Sequence, residues 1–326
     1  MRRKMLACLV LVLAGVFVFT ACGEGGAGGG QTRLTMATGG TGGTYYPFGG
    51  IIAGVINAET DIQVTPNASG ASVDNLGQIA RGDAHIILAQ TDASYYAFTG
   101  TEIWSHMDPV PELRALMALH PEPVHIVVQE GSGIYTVEDL AGKRVSIGDV
   151  GSGVEVNSIQ ILGVHGLTVD DIRVFNLGIG SSADAMREGS IDAFFHTSIY
   201  PTAAILELSV RHDLRLIPID DERVAMLTER YNFYSKTYFD PNSPEAYDFL
   251  TEPVQTVTVH AQLVVHADMD EDLVYTMVRT IMEHRDTIRE GHRAGAYIDE
   301  VHAVTAISIP LHPGAKRFFR EAGVID

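Results

Sequence analysis

The segment Ala37-Thr-Gly-Gly-Thr-Gly-Gly-Thr-Tyr-Tyr-Pro47 joins a β-rich run, Leu34–Thr38, to an amphipathic helix through four glycines. After it, Phe48, Ile51, Ile52, Val55 and Ile56 follow the i, i+3, i+4, i+7, i+8 spacing of one helical face. Pro47 suits a first helical turn, where a missing N–H costs nothing. The glycines let the backbone turn tightly and let a ligand approach closely. A helix start adds unpaired N–H groups and a partial positive charge, so the corner can cradle an anion. It is not a nucleotide fingerprint. Tyr45 stands where Gly-x-Gly-x-x-Gly needs its third glycine, and no Gly-Lys-Ser/Thr follows.

The flanking chain repeats the device. Ile62–Pro66 reads as a strand, Ser72 as the N-cap of a helix with Val73, Leu76 and Ala80 inward, and Asp83–Gln90 as a third strand. A second cycle opens with the strand Val124–Gln129 and a capping box at Thr136–Asp139. Strand Arg144–Gly148 then enters a second glycine corner, Asp149-Val-Gly-Ser-Gly-Val-Glu155, ahead of the helix Val154–Leu162. Ile172–Phe175 and Ile191–Phe195 are strands, Val254–His266 is a long β-rich run, and Glu271–Ile288 is a long helix. The two cycles echo each other, since Ile79-Ala-Arg-Gly-Asp-Ala84 and Arg187-Glu-Gly-Ser-Ile-Asp-Ala193 both run from helix through glycine into strand. Alternating strands and helices predict α/β architecture, with a mostly parallel sheet flanked by helices in each of two lobes. Ligands bind such sheets at the C-terminal strand ends, here in a cleft between lobes. That places Thr41, Gly42, Gly43, Thr44, Tyr45, Ser72, Gln90 and Asp92 on one wall. Ser152, Gly153, Thr197 and Tyr200 form the other.

Composition narrows the function. Lys and Arg total 22 against 41 Asp and Glu, a formal charge of −19, and only four of the cations are Lys. Nucleic acid as a partner is disfavoured, because phosphate binding needs clustered cations. Thirteen histidines include the pairs His120/His125 and His260/His266, neither at zinc spacing, so no metal and no cofactor are expected. Gly151-Ser-Gly153 lacks the Gly-x-Ser-x-Gly elbow, so binding rather than catalysis is expected. Arg2, Arg3 and Lys4 precede an apolar run from Met5 to Ala21, the pattern of an export signal. Phe19-Thr-Ala-Cys22 resembles a lipobox, which predicts a signal peptide over 1–21 and lipidation at Cys22. A Gly-rich tether over 22–31 would link the lipid to the folded body.

The opening motif closely resembles that of the TAXI family, the solute receptors of one class of TRAP transporters. Gly70-Ala-Ser-Val-Asp-Asn75, Leu140-Ala-Gly-Lys-Arg-Val145, Gly151-Ser-Gly153, Asp192-Ala-Phe-Phe195 and Leu311-His-Pro-Gly-Ala315 resemble later family blocks, in order, over residues 32–326. The resemblance implies a periplasmic-binding-protein-like fold (type II-like). Residues 32–123 plus 266–326 would form lobe 1 and 124–265 lobe 2, closing about crossovers near 122–126 and 264–268. It implies a monomeric, exported, membrane-tethered receptor for a small carboxylate or amino acid, glutamate-like or a C4–C5 organic acid. The receptor would deliver its solute to an ion-gradient-driven permease. Val154 replaces the usual Thr of the second corner, and no candidate loop carries an Arg fork, so backbone N–H groups and hydroxyls are expected to hold any carboxylate. Asp92 or Asp149 is expected to meet an amino group. A receptor feeding a sensor kinase and an exported α/β hydrolase are the alternatives.

Overall fold

The computed structural model describes residues 31–326. The expected signal peptide, Cys22 and most of the tether lie outside the described residues. In chain order the elements are β1 (Thr32–Ala37), α1 (Tyr45–Glu59), β2 (Ile62–Asn67), α2 (Ser72–Arg81), β3 (Ile86–Gln90), α3 (Thr91–Thr99), β4 (Leu113–Gln129) and β5 (Arg144–Ser146). Next come α4 (Gly153–Val164), β6 (Arg173–Phe175), α5 (Ile179–Arg187), β7 (Ala193–Thr197), α6 (Ala203–Ser209), β8 (Leu214–Leu216), α7 (Asp221–Arg230) and β9 (Ser235–Phe239). The chain finishes with β10 (Val254–His266), α8 (Glu271–Glu283), α9 (Arg285–Gly291), α10 (His302–Thr305) and α11 (Pro313–Glu321).

Strand order is β2-β1-β3-β10-β4-β7-β5-β6, with β8 beside β4 and β9 beside β10. β1 runs parallel to β2 and β3, and β5 runs parallel to β6 and β7. Each parallel trio therefore carries the same internal order and ends against one long antiparallel strand. The echo between the two cycles is real at this level. α2 stops at the left-handed Gly82 and leads into β3, while the turn after α5 contains the left-handed Gly189 and leads into β7.

β4 and β10 join the trios. β4 pairs with β10 through residues 113–123 and with β7 through 124–128, so it passes from one trio to the other at Pro123–Val124. β10 pairs with β9 over 254–258 and with β3 over 261–265. Its passage thus falls between Thr258 and Ala261, a few residues ahead of the expected 264–268. The β4–β10 register shifts between His260 and Gln262, next to Pro121. Prolines within a sheet belong at such irregularities, because they cannot donate to the ladder. Pro121 and Pro123 also explain why the sequence shows only the second half of this 17-residue strand.

Two other local expectations change. Ser72 does not cap α2, because its hydroxyl accepts the Gln90 N–H at 3.1 Å. The long C-terminal helix breaks at His284 into α8 and α9, although the apolar period runs through the break. Three clusters of buried apolar side chains fill the body. One includes residues from both trios, Leu76, Ile87 and Ala89 packing together with Val145, Ile147 and Val156. Truncating Leu76, Ile87 or Ile147 would leave a cavity.

Backbone approach is closest where α11 meets α8. A Cβ on Gly314 would run into the Glu271 carbonyl and lie 2.7 Å from the Tyr275 N atom. Gly314→Ala is therefore expected to lower stability by about 1–3 kcal/mol. Gly50→Ala on α1, where a Cβ meets nothing within 4 Å, is expected to be neutral or mildly stabilising. Urea midpoints of the two variants check this contrast.

Candidate functional site

Both glycine corners open onto one cavity of about 310 Å³, at the small end of the roughly 300–1,000 Å³ range of ligand sites. Gly39–Tyr45, at the start of α1, form one side together with Ala71, Ser72, Gln90 and Glu122. Gly148, Asp149, Ser152, Gly153 and Val154, at the start of α4, form the other with Phe195–Ser198 from the end of β7. A third segment, Leu177–Ser181, closes the rim at the start of α5. Three helix N-termini of 15, 12 and 9 residues therefore meet at one space. Each brings backbone N–H groups that its own helix cannot satisfy.

The two sides touch directly. The Gly151 carbonyl accepts the N–H groups of Val73 and Asp74, both at 3.0 Å, so the second glycine corner caps α2 in place of a side chain. Gly151 sits at φ +77°, a conformation that glycine adopts without strain. The Thr44 and Ser198 hydroxyls meet at 2.6 Å. The Gln90 carboxamide packs against Gly153 so closely that a Cβ there would overlap it. Ala71 is held at φ +71° beside the cavity, a strained conformation for a residue with a side chain.

Of the residues expected from sequence, Thr41, Gly42, Gly43, Thr44, Tyr45, Ser72, Gln90, Ser152, Gly153 and Thr197 are brought together here. Asp92 and Tyr200 are not. Asp92 lies in the first turn of α3, fully buried, and accepts the Asn157 Nδ2–H at 2.8 Å. Beside that pair, the Gln160 Nε2–H is donated to the Tyr96 hydroxyl, and Tyr234 donates to Gln160 Oε1 at 2.7 Å. Asp92 thus belongs to a polar network between α3 and α4. Tyr200 packs on Phe239 and Tyr247 at 5.0 and 6.3 Å between ring centres.

The sequence also passed over residues that line the cavity. Glu122 was hidden between two prolines in β4. Gly178-Ile-Gly180 carries the same signal as the other corners, glycines between a strand and a helix start, in shorter form. Asp149, which the sequence did single out to meet an amino group, lines the cavity and lies against Gly178. Burial pushes the Asp149 carboxyl up, opposed by the Gly178 N–H. Tyr45 donates its hydroxyl to Glu122 Oε2 at 2.9 Å. Burial, followed by the neighbouring Glu122 charge, holds the Tyr45 phenol well above its ordinary value, so it stays a neutral donor. Burial lowers His196 to about 4, leaving a neutral ring on the cavity wall. Among the described residues, neither Lys nor Arg lines the cavity. Among the described residues, no group of three or more His, Cys, Asp or Glu is arranged to hold a metal ion. No described helix is long and apolar enough to cross a membrane.

The α/β fold, with its curled sheet flanked by helices, is that of periplasmic-binding-protein-like structures, and the site is a partly open cavity at its strand ends. The chain belongs to the NMT1-like family, whose match spans residues 36–323. Its fold resembles that of a protein from Bordetella bronchiseptica RB50, at 16% identity over 90% of each chain with TM-score 0.53. It also resembles a Xanthomonas citri protein bound to ATP, at 12% identity over 90% of this chain and 97% of that one, with TM-score 0.50. The alkanesulfonate-binding protein SsuA from Xanthomonas axonopodis pv. citri, bound to MOPS, aligns at 14% identity over 90% and 80% of the chains with TM-score 0.47.

Burial raises the Asp92 carboxyl from 3.8 to about 7. Between those values the folded chain keeps a proton that the unfolded chain has released. Stability from this group is therefore greatest below about pH 4 and is lost as pH rises through 7. Asp92→Asn keeps an acceptor for Asn157 without the charge. Relative to this variant, the parent is expected to lose roughly 2–4 kcal/mol between pH 4 and pH 8, read from urea unfolding at both pH values.

Proposed function

We propose that this chain is an exported solute receptor that captures a small carboxylate or amino acid between two lobes. The lobes are residues 32–123 plus 266–326 and residues 124–265. The observation that carries this proposal is the meeting of three helix N-termini at one small cavity walled from both trios of strands. A carboxylate in that space would find backbone N–H groups and hydroxyls already aimed by rigid elements, without an arginine fork. Among the described residues, no Ser or Thr hydroxyl of the lining is hydrogen-bonded to a His or a carboxylate, which favours capture over turnover.

The resemblance of Ala37–Pro47 and the later blocks to TAXI receptors supports the finer picture. In it, the protein is tethered outside the membrane through a lipid on Cys22 and acts as a monomer. It hands a glutamate-like or C4–C5 solute to a TRAP permease driven by an ion gradient.

Thermal shifts against amino acids and C4–C5 carboxylates test the capture. A solute held at about 100 times its Kd is expected to raise the melting temperature by about 5 °C or more. Gly153→Ala would drive the Gln90 side chain out of its place while leaving the backbone room to fold. This variant is expected to keep its melting temperature within about 2 °C and to lose most of the ligand-induced shift. An unaltered ligand shift in Gly153→Ala would count against the placement.

A further inference from the structure

We infer that Asp92, Asn157, Gln160, Tyr96 and Tyr234 form a latch between the two lobes that holds only while the Asp92 carboxyl carries a proton. Closing over a solute then takes up a proton, and a rise in pH favours the open, releasing form. This rests on the two-lobed capture proposed above and adds its regulation.

The five side chains come from both sides of the proposed division. Asp92 and Tyr96 lie on α3, whereas Asn157 and Gln160 lie on α4 and Tyr234 just ahead of β9. Asn157 donates one Nδ2 hydrogen to Asp92 Oδ2 and the other to the Tyr234 hydroxyl, each at 2.8 Å. Gln160 completes the chain through the Tyr96 and Tyr234 hydroxyls. Asp92 Oδ1 and Asn157 Oδ1 are left buried without a partner. When Asp92 is ionised, both oxygens lack a donor and the charge lacks a cation, which is costly in a buried place. One proton on Asp92 cancels the charge and turns an acceptor into a donor, for which Asn157 Oδ1 is the unpaired acceptor. The titratable groups that act on Asp92 are Glu122 from β4, Tyr45 from α1, Tyr96 from α3 itself and Tyr234, all of them acids. Glu122 has His120 at 3.5 Å as a partner, and Asp92 has no such partner. Elsewhere around α3, Asp74 and Arg81 of α2 are bonded to Gly70 and Asp83, and Glu155 of α4 to Gly151 and Asn176. Glu102 acts on Tyr96, and His260 of β10 responds to His302 and His120. Burial therefore raises Asp92 from 3.8 to about 7, against the Ala93 N–H and Asn157. Opening parts α3 from α4, admits water and returns the carboxyl to its ordinary value. Between the two values closure binds a proton, and the closed-to-open ratio falls about tenfold for each unit of rising pH. Above about pH 7 both forms are ionised and the ratio levels off.

Small-angle X-ray scattering of the purified, solute-free protein reads the opening, with far-UV circular dichroism confirming that the fold is kept. From pH 5 to pH 8.5 the closed-to-open ratio is expected to fall about 100-fold and the radius of gyration to rise. In Asp92→Asn the new amide reproduces the protonated acid, an acceptor for the Asn157 Nδ2–H and a donor for Asn157 Oδ1. Its radius of gyration is expected to stay at the parent's acidic value at both pH values. A parent that keeps one radius across this range overturns the inference, as does an Asp92→Asn variant that expands as the parent does. Because no solute is added, either result leaves capture to stand or fall by the thermal shifts above. Should Asp92→Asn not fold, Tyr234→Phe takes its place. Losing the hydroxyl that joins Asn157 to Gln160 weakens the latch, so expansion is expected to begin at a lower pH than in the parent. Expansion at an unchanged pH overturns the inference.

Discussion

Everything at the site depends on the antiparallel pairing of β4 with β10. Eight pairings between residues 113–123 and 258–266 form the seam between two parallel trios that otherwise have separate hydrogen-bond ladders. Because each trio carries its glycine corner at the C-terminal strand ends, the seam fixes how the corners face one another. Glu122 lies on the seam itself, opposite Val259. The register shift beside Pro121 therefore does two things at once. It accommodates a residue that cannot donate, and it places a carboxylate at the cavity wall instead of in the core.

The second constraint is electrostatic. The chain carries a formal charge of −19, and among the described residues the cavity wall contributes two carboxylates and no Lys or Arg. Far-reaching repulsion of an anion is screened beyond about 8 Å at physiological salt. Inside the cavity, three helix starts offer partial positive charge at contact distance. These donors are fixed by the fold and need no reorganisation when a solute arrives. Direct contacts also link the two sides of the cavity. The Gly151 carbonyl that caps α2 joins segments from both trios through two backbone hydrogen bonds. In the same way, the Asp92–Asn157 pair ties α3 to α4 away from the cavity.

Much of this was legible in the sequence because glycine corners and helical periods are local signals. The corners at Gly39–Gly43 and Gly151–Gly153, the helix–glycine–strand joints and the run of β10 could all be seen without coordinates. What stayed hidden depended on distant partners. The prolines of β4 masked its first half, because strand propensity counts a missing donor against a strand and cannot see the irregularity that tolerates it. Asp92 looked like a residue at a strand end, yet α3 begins at Thr91 without an intervening loop and turns it toward α4. Tyr200 follows β7 closely enough to look available, but Phe239 and Tyr247, far away in sequence, claim its ring. Glu122 gave no local sign at all. Its place in the cavity wall comes from the pairing of β4 with β10 and from Tyr45, both properties of the folded chain.

Backbone amide hydrogen exchange, followed residue by residue with and without a saturating amino acid, tests the central claim most directly. If main-chain N–H groups of the three helix starts hold the solute, added ligand slows exchange together at Gly42–Tyr45, Gly153–Val154 and Ile179–Ser181. Ligand-induced protection confined to other segments, with these three unchanged under demonstrated saturation, would contradict the account.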